Sequence, residues 1–297
     1  MRGFWLALAA YVIWGCFPLY FNLLKEIPAI EVLSNRVIWS LVATMTIVLV
    51  MGRFQSFWQL FQQRAMMPWL ILSSLLIGAN WLIYIWAVGQ GRVLEASLGY
   101  YMTPLVSLFL ARVLLKEKLH PLQAIAGGIA AIAVAWELYS LGSLPWIPLT
   151  LALSFGFYGL VRKHFPVDSL NGLTVETLWL FPLALLWMGW QFVQVDVDLA
   201  FGEDLTTSLL LFASGILTAI PLLLFAAAAK RLDLSIVGFI MYINPTLQFL
   251  IAVLILQEDY PPQRLVTFGL VWAALLVFML GLWLGRNQRA AVVSLER

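Results

Sequence analysis

Apolar residues dominate this chain in long unbroken runs, and polar positions appear mainly as punctuation between them. A helix needs ~20 mostly apolar residues to cross ~30 Å of hydrocarbon. Cutting the chain at charges, prolines and glycines leaves ten such runs: 4–23, 30–51, 69–89, 94–115, 122–140, 145–162, 172–193, 207–229, 235–256 and 265–285. Each is expected to be a helix, because a helix satisfies its own backbone donors and acceptors where lipid supplies none. The polar–apolar alternation of barrel strands is absent. The third, fourth and fifth runs are the least separated, with only 89–92 and 116–121 between them.

A second pattern is superimposed on the first. Residues 98–121, LGYYMTPLVSLFLARVLLKEKLHP, align with residues 239–262, FIMYINPTLQFLIAVLILQEDYPP, 141 positions later and without a gap. Tyr101 falls on Tyr242, Pro104 on Pro245, Ala111 on Ala252, Leu115 on Leu256, Glu117 on Glu258 and Pro121 on Pro262. Shared apolar composition supplies some of these matches. The order tyrosine, proline, apolar run, glutamate, proline at constant spacing points to an internal duplication. The expected organisation is a first repeat over 1–140 (helices 1–5), a second over 145–286 (helices 6–10) and a cytoplasmic tail over 287–297.

Composition agrees with lipid as the solvent. The 297 residues are 63% hydrophobic and 11% charged, with a mean hydropathy of +0.93. A soluble domain is about 25% charged, so this chain could not cover its surface with polar groups in water. The start has the arginine-then-apolar order of a signal peptide. It lacks a small-residue cleavage site and runs on into Trp14, Phe17 and Pro18, so an uncleaved first span is expected.

Charge placement sets the orientation. With the N-terminus in the cytoplasm, twelve of the seventeen basic residues fall on the inner side: Arg2, Arg53, Arg64, Lys116, Lys118, Arg162, Lys163, Lys230, Arg231, Arg286, Arg289 and Arg297. Outside fall Lys25, Arg92 and Arg264, while Arg36 and Arg112 lie within runs. Both termini are therefore expected inside. Five spans per repeat is odd, so the second repeat starts on the opposite side and the two become inverted copies. Inverted halves suit alternating access, with a solute held near the midplane between them.

The strings Tyr84-Ile85-Trp86-Ala87 and Glu95-Ala96-Ser97-Leu98-Gly99-Tyr100-Tyr101-Met102-Thr103-Pro104 are followed by Leu115-Lys116-Glu117-Lys118-Leu119 and Gly127-Gly128. Together they resemble the EamA domain, the repeat unit of the drug/metabolite transporter superfamily. The fuller strings GANWLIYIWAV (78–88) and GRVLEASLGYYMTPLV (91–106) resemble its RarD-type branch, named for chloramphenicol sensitivity. The resemblance spans essentially the whole chain and is most specific over 78–121. It implies ten helices, an inner-membrane location and secondary transport. It implies no particular substrate.

Among single residues Arg36 is the most telling. It lies about seven residues into its run, ~10 Å deep at 1.5 Å per residue. A charge inside a span costs about 2.5–3.5 kcal/mol or more, so it should face a cavity or a partner. It either contacts an anionic substrate group, snorkels to the headgroups, or neutralises carbonyls and a carboxylate such as Glu95. Asn35 and Trp39 extend a polar and aromatic wall beside it. Glu176 in the seventh run is its counterpart, ~8 Å deep from the other side, which makes a direct pair with Arg36 unexpected. Three readings stand for Glu176: the other end of a zwitterion, a coupling proton site, or a helix N-terminal carboxylate favoured by the dipole.

Polar stripes at helical spacing add Ser73, Asn80 and Tyr84 in the third run, Ser214, Thr218 and Pro221 in the eighth, and Asn244 with Gln248 in the ninth. Trp14 and Tyr158 would line the same space from the first and sixth. The candidate substrate-binding set is thus Trp14, Asn35, Arg36, Trp39, Asn80, Tyr84, Tyr101, Tyr158, Glu176, Tyr242 and Asn244; ordinary interhelical packing is the alternative for each. Pro104 and Pro245 are expected to break helices mid-span, as paired breaks at a repeat interface do. Glu117 and Glu258 read as folding or gate-locking residues.

The expectation is an all-α integral membrane protein acting as a secondary transporter in the bacterial inner membrane, with export as the family tendency. The solute would be a small amino acid-like or amphipathic metabolite, with protons as a candidate coupling ion. No cofactor, metal or nucleic-acid partner is expected, and monomer and homodimer both fit. The alternatives are a non-transport membrane subunit and an intramembrane enzyme. The single cysteine, the two separated histidines and the lack of HExxH, GxSxG or GxxxxGK[ST] weigh against catalysis and nucleotide-driven pumping.

Overall fold

The computed structural model describes residues 2–114, 116, 121–142, 144–164, 167–193, 199–229, 231–232 and 240–295. Leu115, Glu117, Lys118, His120, Asp196, Asp198, Lys230 and the opening of the ninth run lie outside them. The described helices are α1 (Arg2–Gly15), α2 (Phe17–Asn22), α3 (Ala29–Val50), α4 (Phe54–Gln62), α5 (Met67–Gly89), α6 (Val93–Leu114), α7 (Pro121–Leu141), α8 (Trp146–His164), α9 (Ser169–Val193), α10 (Leu205–Ala229), α11 (Ile243–Leu250) and α12 (Gln263–Leu295). Among the described residues, eight helical stretches are long and apolar enough to cross a membrane, and Trp146–Arg162 and Ile243–Ile255 are shorter apolar helices.

Four elements differ from the sequence reading. The first run is two helices, because Pro18 at the start of α2 has no N–H to donate and its ring clashes with the turn before it. The chain turns at Cys16, whose N–H reaches Val12 O at 3.0 Å, and restarts with Leu19 N–H on Cys16 O at 3.1 Å. Helix α4 was not anticipated within 51–68. At the other end α12 continues to Leu295, past the expected end at 285, since 286–295 holds no proline or glycine to stop it. Finally, the break in the ninth run is a turn at Met241–Tyr242, and Pro245 follows that turn. The proline sits in the first turn of α11, where the missing N–H has no intrahelical acceptor to lose. Pro104 does lie inside its helix, α6.

Two compact units form, one from Met1–Leu94 with Val161–Glu258 and the other from Glu95–Leu160 with Asp259–Arg297. Each draws on both halves of the sequence. In the first unit α3 lies antiparallel to α9. Val37 packs on Leu180 and Ala184, while Val48 shares a cluster with Leu170 and Val175. Glycines permit the close approaches. A Cβ at Gly78 of α5 would meet Leu180 of α9 at 2.9 Å, and one at Gly215 of α10 would run into the backbone of Trp39 and Ser40 on α3.

Helix α11 passes into a π-helical turn at Ile251–Ile255, then Gln257 adopts φ 49°. That reversal swings Glu258 onto the start of α6, where its carboxylate accepts from Val93 N–H at 2.7 Å and Leu94 N–H at 3.2 Å. A carboxylate there satisfies orphan donors and meets the positive end of the helix dipole. Among the described residues Lys116 is the other non-glycine residue with positive φ, at 54°, and it stands 141 positions before Gln257, the offset of the sequence repeat.

In the second unit α7 and α12 carry a buried ionic cluster. Glu137 of α7 accepts from Arg264 Nε at 2.9 Å and from the Thr267 hydroxyl, and Arg264 Nη2 lies 3.2 Å from Glu95. Both carboxylates are buried.

Candidate functional site

The first unit places Arg36 at its centre. Two turns into α3, the residue is 3% exposed, and its guanidinium packs among ring faces rather than turning out toward headgroups. The guanidinium carbon lies 4.3 Å from the centroid of Trp81 on α5, 5.4 Å from Phe21 and 5.6 Å from Phe17 on α2. Its Nε donates to Thr218 Oγ1 on α10 at 2.8 Å. Four helices thus converge on one cation. Guanidinium suits such a place, because it is weakly hydrated and stacks on aromatic faces as an ammonium does not. The break at Cys16 is what aims Phe17 and Phe21, one helical turn apart, at the charge.

The same unit holds most of the residues singled out from the sequence. Tyr84 packs its ring on Phe21, centroids 6.0 Å apart, and Asn80 is buried on the same helix. Trp39 is flanked by Phe212 at 4.8 Å and Phe201 at 5.7 Å. Asn35 spends its amide on its own helix, donating to Glu31 O at 3.1 Å. Glu31 in turn accepts from Ala200 N–H at 2.7 Å, fastening the segment before α10 to the start of α3. Trp14 sits against Tyr11 and Phe225 at 5.4 and 6.0 Å. Asn244 accepts from Gln248 Nε2 at 2.8 Å on α11, and Tyr242 precedes that helix.

Glu176 belongs to a different polar centre of the same unit. It is 1% exposed, accepts from Ser73 Oγ at 3.1 Å, and has Arg162 Nη1 at 3.6 Å. Arg162 reaches it by crossing Gly172, where a Cβ would collide with the guanidinium. The antiparallel register of α3 and α9 separates Arg36 from Glu176 by roughly 10 Å along the helix axes, at 1.5 Å per residue.

The comparisons with known proteins now bear on this geometry. A model of the EamA-like transporter family matches residues 1–138. A Pseudomonas aeruginosa protein named as an uncharacterized transporter is 44% identical, over 95% of this chain and 94% of its own length. A similarly named Bacillus subtilis protein, YojE, is 43% identical over 91% of this chain and 90% of its own. Protein RarD of Escherichia coli K12 is 43% identical over 94% of both. The chain belongs to the EamA-like transporter family. Its relatives place it on the RarD-type branch. A solved crystal structure, 17% identical, superposes with a TM-score of 0.58 over 94% of this chain and 97% of the other, which extends the likeness to the fold. This EamA-like protein is thus a multi-pass bacterial membrane protein of a transporter family.

Two of the sequence-selected residues lie in the second unit. Tyr101 packs edge-on against Phe268 and Trp272, both at 6.2 Å, and Tyr158 against Phe155 at 5.7 Å. Glu95, weighed from the sequence as a partner for Arg36, pairs with Arg264 in that unit. Sequence reading passed over Phe17, Phe21 and Trp81, the rings of the cage, and Arg162. Phe17 and Phe21 could have been found from their four-residue spacing beside Pro18. Arg162 carried no such signal, since it ends an apolar run and reads as an ordinary flanking charge.

Proposed function

We propose that this EamA-like protein is a secondary transporter of ten membrane helices, built as inverted repeats over 1–140 and 145–286, that carries a small amino acid-like metabolite outward by alternating access. The observation that carries the reading is the caged Arg36. A permanent cation buried among three aromatic rings, in a transporter family, is suited to receive a carboxylate while the rings take an apolar side chain.

Three features support the inverted arrangement. The equivalent helices α3 and α9 are antiparallel neighbours. Their partners are exchanged between halves, α5 resting on α9 at Gly78 and α10 on α3 at Gly215. The positive-φ residues Lys116 and Gln257 stand at the repeat offset. Inverted halves of this kind provide two interchangeable conformations. Both termini face the cytoplasm in this reading.

Counterflow of radiolabelled amino acids in proteoliposomes tests it. Accumulation of at least one zwitterionic substrate is expected, and Arg36→Lys should abolish it, because an ammonium keeps the charge but loses the planar fork and the stacking. Normal counterflow by Arg36→Lys would remove Arg36 from the substrate path. Glu176 takes either the substrate amine or a coupling proton, and Glu176→Gln separates the roles. If the proton role holds, the pH dependence of transport disappears in the variant; if it persists unchanged, that role is gone.

A further inference from the structure

Helix α4 stands apart from the transport reading and has a partner of its own. We propose that α4 is an in-plane membrane anchor, whose exposed Phe54–Trp58 face inserts into the boundary between lipid headgroups and acyl chains.

The chain leaves the span α3 through Gly52, whose φ of 65° is open to glycine at no strain, and Arg53 N–H closes the helix end on Val48 O at 2.8 Å. Three residues lead into α4 and four lead out to α5. Tethers that short, tied to two spans, hold the helix at the membrane surface. Phe54, Phe57, Trp58 and Phe61 recur at helical spacing and form one aromatic stripe, while Gln55, Ser56, Gln59 and Gln62 form the opposite face.

The stripe is divided between two neighbours. Phe57 is 2% exposed and packs with Val48, Leu70, Leu170 and Val175. Phe54 and Trp58 are 45% and 54% exposed, with rings near parallel at 17°. Their exposure is continuous along the chain with that of Leu49, Val50 and Met51 before them, and with Trp69 and Leu72 after, on spans whose outer faces meet lipid. Aromatic rings are favoured at that depth, and Arg64 beside them is exposed for an anionic headgroup. Protein and lipid therefore share one amphipathic helix.

The protein side is fastened to the start of α9. Asn171 donates to Ser56 Oγ at 3.1 Å, Arg53 lies 3.3 Å from Asp168, and Phe57 shares a hydrophobic cluster with Val175, the neighbour of Glu176. An anchored α4 thereby fixes the end of α9 that carries Glu176.

The test uses depth-dependent quenching. In a Cys16→Ser background, Trp58→Cys is labelled with bimane and reconstituted in phosphatidylcholine–phosphatidylglycerol liposomes, with Gln59→Cys labelled in parallel. The Trp58→Cys label should be quenched more by a spin label high on the acyl chain than by one near its end. Aqueous iodide should quench it about five-fold less than the Gln59→Cys label. Equal iodide quenching at the two positions would overturn the proposal, leaving α4 in water. Shielding of the Trp58→Cys label from both iodide and lipid spin labels would also overturn it, assigning the face to a second copy or another protein. If Trp58→Cys does not accumulate, Phe54→Cys reads the same depth with the same outcomes.

Discussion

Arg36 and Arg264 are both enclosed arginines, one in each compact unit, and their surroundings differ in kind. Arg264 lies between the carboxylates of Glu95 and Glu137, with the Thr267 hydroxyl completing the cluster. Arg36 lies against Trp81, Phe17 and Phe21, with its Nε on a threonine hydroxyl. Carboxylates cancel a cation and fix it, so Arg264 ties α6, α7 and α12 together as structure. Ring faces and a hydroxyl hold Arg36 instead, and in the function proposed above its charge is what receives the substrate carboxylate. Arg36 is the more deeply buried of the two, but it is the chemistry of the neighbours that separates them.

The sharpest way to break that contrast is to remove Arg264. Arg264→Met leaves two buried carboxylates with no guanidinium between them, and breaking a buried ion pair from one side costs about 3–5 kcal/mol. A large fall in melting temperature of the detergent-solubilised protein is expected, with counterflow per folded molecule retained. A variant that melted normally would deny the cluster its structural part. Arg36→Lys should give the reverse profile. Its stability should fall by about 2 kcal/mol, the scale of a desolvated cation–π contact, while transport is lost. If both variants lost stability alike and transport only in proportion, the two arginines would be one class.

How much of this was legible beforehand follows from what each feature depends on. Eight of the ten expected spans were readable because lipid imposes a length and an apolar composition on every crossing helix. The buried positions of Arg36 and Glu176 were readable because a charge in an apolar run is costly wherever it points. Their partners were not readable. Trp81, Phe17 and Arg162 meet their targets through helix packing, and one residue among fourteen tryptophans carries no mark of where its face will lie. The break at Cys16 and the first-turn place of Pro245 show the same limit. A proline announces a disturbance, but whether it kinks a helix or starts one depends on which side the chain resumes. Helix α4 was missed because nine residues between two strong spans fall below the length on which the span reading rests.

The contrast has a third, weaker member at the surface. Asp204 precedes α10 and is fully exposed, and the hydroxyl and the backbone N–H of Thr207, the latter at 2.9 Å, hold its carboxyl below the usual carboxylate range. The sign follows from that depression. With the folded value below the unfolded one, the contribution is complete above the unfolded pKa and is lost as pH falls through the folded value. Below about pH 4, where free carboxylates begin to protonate, wild type should lose the small advantage it holds over Asp204→Asn, and the two melting curves should converge. At neutral pH a slight difference is expected, far below that of Arg264→Met, because water and salt screen an exposed cap but not a buried triad. Melting temperatures measured across the acid range check this, and curves that stay parallel to the lowest pH would mean that the carboxylate contributes nothing a neutral amide cannot.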